Sequence, residues 1–498
     1  MTHAKLPLTN VRSFELTHLE QSLFNLFLEV VHYFRIDTTV RVAGGWVRDK
    51  VLNRPTKFDI DITVSNMMGV DFANKINEFL SIRGEAAGKL AVIEQNPEKS
   101  KHLETARMKL MGSWIDFCNL RSETYTADSR IPTARLGTAE EDALRRDFTV
   151  NALLYNLHSN NVEDYTGRSF TDLANKLIST PLDPLTTLMD DPLRVMRAIR
   201  FSSRLGFSLD DSLYQACKNR NVHEALRSIV SRERIGTELQ EMMESTNAFD
   251  SIKLIVELGL TDLVFCPPDD LQHSLCAELT SENAALRILK RCFLAIKLIS
   301  VFKFEISAEF QRILLTSCVL FPLRKHEVLV KNRAVALPTW IGMNSLKWAK
   351  VVSQSITISC HTAEMFHNIE SESPSRLELG QILRKSKELW TIGLILAAVD
   401  NCSSIDLSWN SELPTIVFEK IIPYQGFVQL IKSFGLIDIW KVKCAFSGAE
   451  IQKLLNLARG PKIGEAVEHC IRLQIQSPQL LKEELKNALL ESWPNQSS

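Results

Sequence analysis

The chain has 498 residues, a formal net charge of −1, 45% hydrophobic and 23% charged residues. That length exceeds one ordinary compact domain, and the balance excludes disordered, collagen-like and low-complexity chains. Near-neutral charge excludes a global basic field, so a polyanionic partner has to be held by local Lys and Arg clusters.

The start, Met1 to Phe14, carries Lys5 and Arg12 and no acid, and has no secretory apolar region. It reads either as a disordered start or as a mitochondrial presequence. No apolar stretch is long enough to span a bilayer; the richest, Cys292 to Phe302, is broken by Lys297. The ten cysteines are scattered without a Cys-x-x-Cys pair, which suits reduced thiols and leaves zinc-ligand spacing absent. No Gly-x-x-x-x-Gly-Lys phosphate loop is present.

From residue 38 the chain reads as mixed α/β. Thr38 to Val42 is a β-branched, strand-like run broken by Gly44 and Gly45, and Trp46 to Leu52 opens a helix. FDIDITV at 58–64 largely alternates with period two and predicts a strand. Further strands are expected at Leu90–Glu94, Thr105–Met111 and Trp114–Asn119, and Phe148–Leu157 reads as a strand or a short helix. After about Pro184, helical periodicity takes over, with apolar helices expected at Leu286–Phe304 and Ile313–Val319.

The sharpest motif is GGWVRD at 44–49 followed by FDIDI at 58–62. Gly44 and Gly45 at a strand end let backbone approach a phosphate, and a helix starting there adds N–H donors. Arg48 on that first turn can add a charge-assisted contact. Asp59 and Asp61, two apart on a strand, point to one face, and paired carboxylates suit Mg²⁺ shared with substrate phosphates. Asp116, in WIDF, is the candidate third carboxylate.

A second cluster, EEDALRRDFTVNAL at 140–153, offers Arg145 and Arg146 for phosphate or structure. Asp147 can accept from a ribose hydroxyl, and Asn151 can donate and accept. A solvated helix face is the plain alternative. In the third cluster, at 190–204, Arg194, Arg197, Arg200 and Arg204 fall on one helical stripe behind Asp191 and Pro192. Such a stripe calls for an anion or for carboxylates. Asp191 and Arg194 together present an acceptor beside a donor, the complement of the pairing edges of cytosine and adenine. SRERIG at 231–236 reads as a Ser-capped helix start.

With these motifs in order, the chain resembles class II tRNA nucleotidyltransferases, the CCA-adding enzymes of the DNA polymerase β superfamily. Bacterial poly(A) polymerases share their head. The resemblance covers roughly residues 37–250: GGWVRD with FDIDI, RRDFTVNAL at 145–153, EDYTGRSFTDL at 163–173, DDPLRVMRAIRF at 190–201 and SRERIGTELQEM at 231–242. The stretch between the first two motifs, and KLLNLARGPKIG at 453–464, are similar to fungal-type members.

The resemblance implies an α+β fold with a polymerase-β-like head of mixed sheet and helices, followed by an all-helical neck, body and tail. The expected domains are an N-terminal segment at 1–36, the head at 37–183, the neck at 184–255, the body at 256–400 and a tRNA-binding tail at 401–498. It implies C and A addition to tRNA 3′ ends from CTP and ATP with release of pyrophosphate, without a membrane or DNA partner. The expected compartment is cytoplasm or nucleus, with the mitochondrion as a further destination.

By the same resemblance Asp59 and Asp61, with Asp116, hold two Mg²⁺ ions. Gly45 and Arg48 touch the triphosphate, while Arg146 and Asp147 lie near the sugar; Gly44 and Asn151 stand with them as nucleotide-binding candidates from the residue reading. Asp191 and Arg194 read the base, with Arg197 and Arg200 on the same stripe. One departure matters: the hinge motif carries Ser169 where the family commonly has Gly. Loss of that freedom makes partial addition, CC only or A only, the alternative expectation, beside poly(A) synthesis.

Overall fold

A computed structural model describes residues 14–55, 58–93, 105–126, 129–268, 271, 277–371, 373–407, 409 and 412–493. The chain divides into two compact units, Met1–Val230 and Ser231–Ser498.

The first unit opens with α1 (His18–Phe34), started by a reciprocal capping box between Thr17 and Glu20. The expected head elements follow closely: β1 (Val40–Ala43), α2 (Gly45–Val51), β2 (Ile60–Val64) and then, after α3 (Gly69–Ile82), a helix the sequence reading did not name, β3 (Lys89–Ile93), β4 (Thr105–Leu110) and β5 (Ser113–Asn119). Glu94, at the end of one expected strand, lies outside the described residues, as do residues 1–13. A hairpin of β6 (Arg121–Thr126) and β7 (Ser129–Leu136) leads into α4 (Ala139–Leu144). Phe148–Leu157 resolves into both readings, a 3₁₀ turn at Thr149–Asn151 and then β8 (Leu154–Asn156), followed by β9 (Asn161–Glu163).

Seven strands form one mixed sheet in the order β3-β4-β5-β2-β1-β8-β9. The β2–β5 pair is parallel and its neighbours are antiparallel. One face is apolar because alternate residues of β2 and β5 are apolar: Ile60, Ile62, Ile115 and Phe117 are essentially fully buried. Phe27 of α1 and Phe72 of α3 cover it, with ring centroids 5.8 and 6.1 Å from Phe117. Period two then sends Asp61 and Asp116 to the opposite face.

Beyond the sheet come α5 (Ser169–Asn175), β10 (Leu177–Ile178), α6 (Pro184–Asp190), α7 (Arg194–Leu205) and β11 (Ser208–Leu209). The second unit is built mainly of helices, among them Arg232–Met243, Glu282–Phe302, Ala308–Leu320, Lys350–His367 and Trp390–Asn401. Ser231 caps the first through a bond from the Arg234 amide. The last helices, from Gly448 onward, gather around Phe446, Ile451, Cys470, Leu485 and Leu489.

The expectation of an all-helical chain after residue 184 needs two corrections. β11 pairs in parallel with β10. Glu327–Val330 and Arg333–Ala336 form an antiparallel hairpin. Its two-residue turn, Lys331 and Asn332, has φ of 48° and 62°, the left-handed pair that suits strand twist. Without a glycine there, the turn leaves a weak sequence signal. Among the described residues no helix is long and apolar enough to cross a membrane.

Candidate active site

All the expected site residues fall in the first unit, on and beside the sheet's polar face. Gly44 takes φ 77° between β1 and α2, a region that favours glycine. A Cβ there would lie 3.4 Å from Arg146 Nη1 and 3.6 Å from Asp61 Oδ2. The turn, one arginine and one aspartate therefore converge.

The parallel register sets Asp61 directly beside Asp116, and β1 sets Ala43 opposite Asp61. Asp116 also takes an ion pair from Arg107 at 3.0 Å. Burial pushes the Asp61 carboxyl up to about 6; Arg146 pulls it down, and the carboxylates of Asp59 and Asp116 push it further up. Burial likewise raises Asp116. A divalent cation between these oxygens would reverse the mutual repulsion, so the donor set suits a hard, oxygen-seeking ion. Among the described residues no three Asp, Glu, His or Cys side chains are grouped so as to hold a metal ion, so the expected third ligand, Asp116, does not complete a three-carboxylate set; its carboxylate is engaged by Arg107 instead. Neighbouring carboxylates that leave places for substrate oxygens suit a divalent cation shared with a substrate.

The second cluster is organised by a residue the sequence reading did not single out. A capping box between Thr138 and Glu141 starts α4. Asp142, fully buried, then stands three and four positions before Arg145 and Arg146. Its Oδ1 accepts from Arg145 Nε at 3.0 Å and its Oδ2 from Arg146 Nε and Nη2 at 3.1 and 2.9 Å. Burial works against its charge, but the two guanidiniums hold its pKa below the usual carboxylate range. The available signal was the i, i+3, i+4 spacing of Asp142, Arg145 and Arg146.

Asp147 and Asn151 are already engaged inside the protein. Asp147 Oδ2 takes two bonds from Arg197, at 2.9 and 2.6 Å, and its Oδ1 accepts from Asn151 Nδ2 at 3.0 Å. Burial opposes its charge, and Arg197 overcomes that and keeps its pKa low. Arg48 is buried, donates to Asn151 Oδ1 at 2.5 Å and folds over Gly45. Its guanidinium also lies 5.4 Å from the Phe201 ring centroid.

The arginine stripe on α7 is therefore not an open basic surface. Arg197 is answered by Asp147, and Arg200 is buried with its guanidinium 4.4 Å from the centre of the Phe201 ring. Arg194 donates to the carbonyls of Arg145 at 2.8 Å and Thr187 at 3.3 Å. Arg204 is exposed. Asp191 accepts from the Leu193 amide at 3.2 Å, and α7 begins at Arg194, with Pro192 in the preceding turn. Ser169 is the buried first residue of α5, and its hydroxyl meets that of Thr166 at 2.9 Å. The left-handed position of this motif is Gly167, at φ 67°, so the Ser169 position demands nothing that only glycine supplies.

Residues 40–179 match the poly A polymerase head domain family. The tRNA nucleotidyltransferase cca1 of Schizosaccharomyces pombe is 33% identical over 96% of this chain and 97% of its own length. The chain belongs to the tRNA nucleotidyltransferase family, whose members include the CCA-adding enzymes. The mitochondrial CCA tRNA nucleotidyltransferase of Saccharomyces cerevisiae is 31% identical over 97% of this chain and 95% of its own. The fold agrees with a solved Bacillus stearothermophilus CCA-adding enzyme in complex with CTP, at TM-score 0.63 and 17% identity, over 96% of this chain and 98% of that one. The nucleotidyltransferase thus carries the family's head domain, and its turn, paired acids and arginines all lie on or close to that head.

Proposed function

We propose that this nucleotidyltransferase completes the CCA end of tRNA, adding C and A from CTP and ATP with release of pyrophosphate. Asp59 and Asp61 would hold two Mg²⁺ ions, with Asp116 beside Asp61. When bound, Mg²⁺ lowers the pKa of the attacking 3′ hydroxyl and neutralises charge on the triphosphate. Gly44 and Gly45 let the backbone approach the phosphates, Arg146 faces the same turn, and Arg48 braces it from beneath. Asp147, with Asn151, fixes the segment beside the sugar. Asp191 accepts from the amino group of cytosine or adenine, and Arg194 donates to the neighbouring ring nitrogen. Arg194 has five N–H donors, so its bonds to two carbonyls leave others for a base. Arg197 and Arg200 hold α7 in place. Uracil and guanine present the reversed pattern and are refused.

The observation that carries this reading is the convergence of Asp61 and Arg146 on the Gly44 turn, with Asp116 the register partner of Asp61. The tRNA is held through shape and phosphate contacts in the helical second unit. A mitochondrial share of the protein belongs to the same proposal, supported by relatives named as mitochondrial.

The test is incubation with tRNA ending at the discriminator base, with CTP, ATP or both, followed by sequencing of the 3′ ends. CC is expected from CTP alone and CCA from the mixture. Ends that stop at CC in the mixture, or grow into A tracts, would overturn the proposal.

A further inference from the structure

The two halves of the site, the carboxylate side and the base-reading side, approach each other through α4. Arg146 faces Asp61 and Gly44. Arg145, its neighbour, offers its carbonyl to Arg194 Nη2 at 2.8 Å. Both guanidiniums end on one buried carboxylate, Asp142. Arg145 Nε also donates to the Arg121 carbonyl, and the Arg121 amide donates to Asp142 Oδ1, each at 3.2 Å. The carboxylate is therefore anchored to the strand hairpin as well as to both arginines.

We infer that Asp142 is a positioning residue that sets Arg146 against the triphosphate turn and Arg145 under Arg194 at once, and so couples triphosphate binding to base selection. The inference rests on the proposed function and deepens it. Asp142 touches no substrate. One oxygen serves each arginine, so a change at Asp142 disturbs both sides together. Loss of its charge frees Arg146 to turn toward Asp61, about which it already exerts an attraction. Loss of the Arg145 contact loosens the carbonyl on which Arg194 rests. A residue that only supported the fold would lower the folded fraction and leave the surviving molecules with native affinity and selectivity.

The experiment compares full-length wild type, Asp142→Asn and Asp142→Glu. Equilibrium binding of CTP and of UTP is measured in EDTA, and incorporation into tRNA lacking CCA is measured with Mg²⁺. For Asp142→Asn the CTP-over-UTP affinity ratio is expected to fall at least tenfold, and KM for CTP to rise more than kcat falls. Asp142→Glu keeps the charge and shifts it by one methylene, so it is expected to fold like wild type and lose about threefold in the same ratio. If Asp142→Asn does not fold, Asp142→Glu decides alone. Native CTP-over-UTP ratio and KM in every folded variant would overturn the inference. Failure of the wild type to add CCA would instead count against the proposed function, and the binding ratios in EDTA would still report on Asp142.

Discussion

The two units bury polar groups in different ways. The first buries charge: Asp142, Arg48 and Arg200 are at most 8% exposed, and each is engaged in an ion pair, a hydrogen bond or a ring contact. The second buries mainly Ser and Thr; its charged exceptions among the described residues are Glu238 and Arg312, the latter paired to Glu244. Ser353, Ser355, Ser359 and Thr362 each donate to the carbonyl four residues back in their own helix. A hydroxyl satisfied within its helix asks nothing of its neighbours. A buried ion pair is costly and directional, and breaking one leaves an uncompensated charge. Buried charge is thus concentrated where donors have to be aimed, and the helical unit relies on shape.

The largest effect that would sharpen this contrast is at Asp61. Asp61→Asn should cut nucleotide incorporation by about a thousandfold, roughly 4 kcal/mol in the barrier. Its effect on stability should have the opposite sign. With a folded value of about 6 against an ordinary 3.8, Asp61 retains its proton in the folded protein where the unfolded chain has lost it. Stability therefore falls as pH rises from about 4 to about 6 and stays lower above that. Asp61→Asn should melt higher than wild type at pH 7, by on the order of 1–2 kcal/mol, and no differently at pH 4. Thermal melts of both proteins at the two pH values check this, and a lower melting point at pH 7 would break the account of strained acids.

In the second unit the largest expected effect is steric. A Cβ on Gly236 would meet the Leu346 carbonyl oxygen at 1.8 Å, where the Trp348 indole also donates to the Gly236 carbonyl at 3.1 Å. Gly236→Ala should cost about 3 kcal/mol or more, a fall in melting temperature of roughly 6–12 °C. Its KM for CTP at permissive temperature should be unchanged, which separates fold from site. The smallest effect is Ser359→Ala. The Ser355 carbonyl keeps its helical partner, so the loss should stay within about 1 kcal/mol by thermal denaturation. A large loss there would erase the difference between the two units.

Much of the head could be read locally. Apolar alternation marked β2, β-branched residues marked β1, and the paired glycines marked the turn before α2. The Glu327–Ala336 hairpin escaped because its turn is built from Lys331 and Asn332 rather than glycine. Asp142 escaped because a carboxylate near two arginines on a short helix looks like a solvated face until its burial is known.

By itself, then, the amino-acid order determined that Asp61 alternates with the apolar Ile60 and Ile62 and that a glycine turn precedes it, because side-chain direction follows from backbone period over a few residues; Asp59 lies one position before β2. Only tertiary structure decided that Asp116 lies beside Asp61, that Arg197, 50 residues on, closes over Asp147, and that Asp142 gathers Arg145 and Arg146. Strand register and buried pairing across long loops depend on how the whole core packs, and no local pattern carries that information.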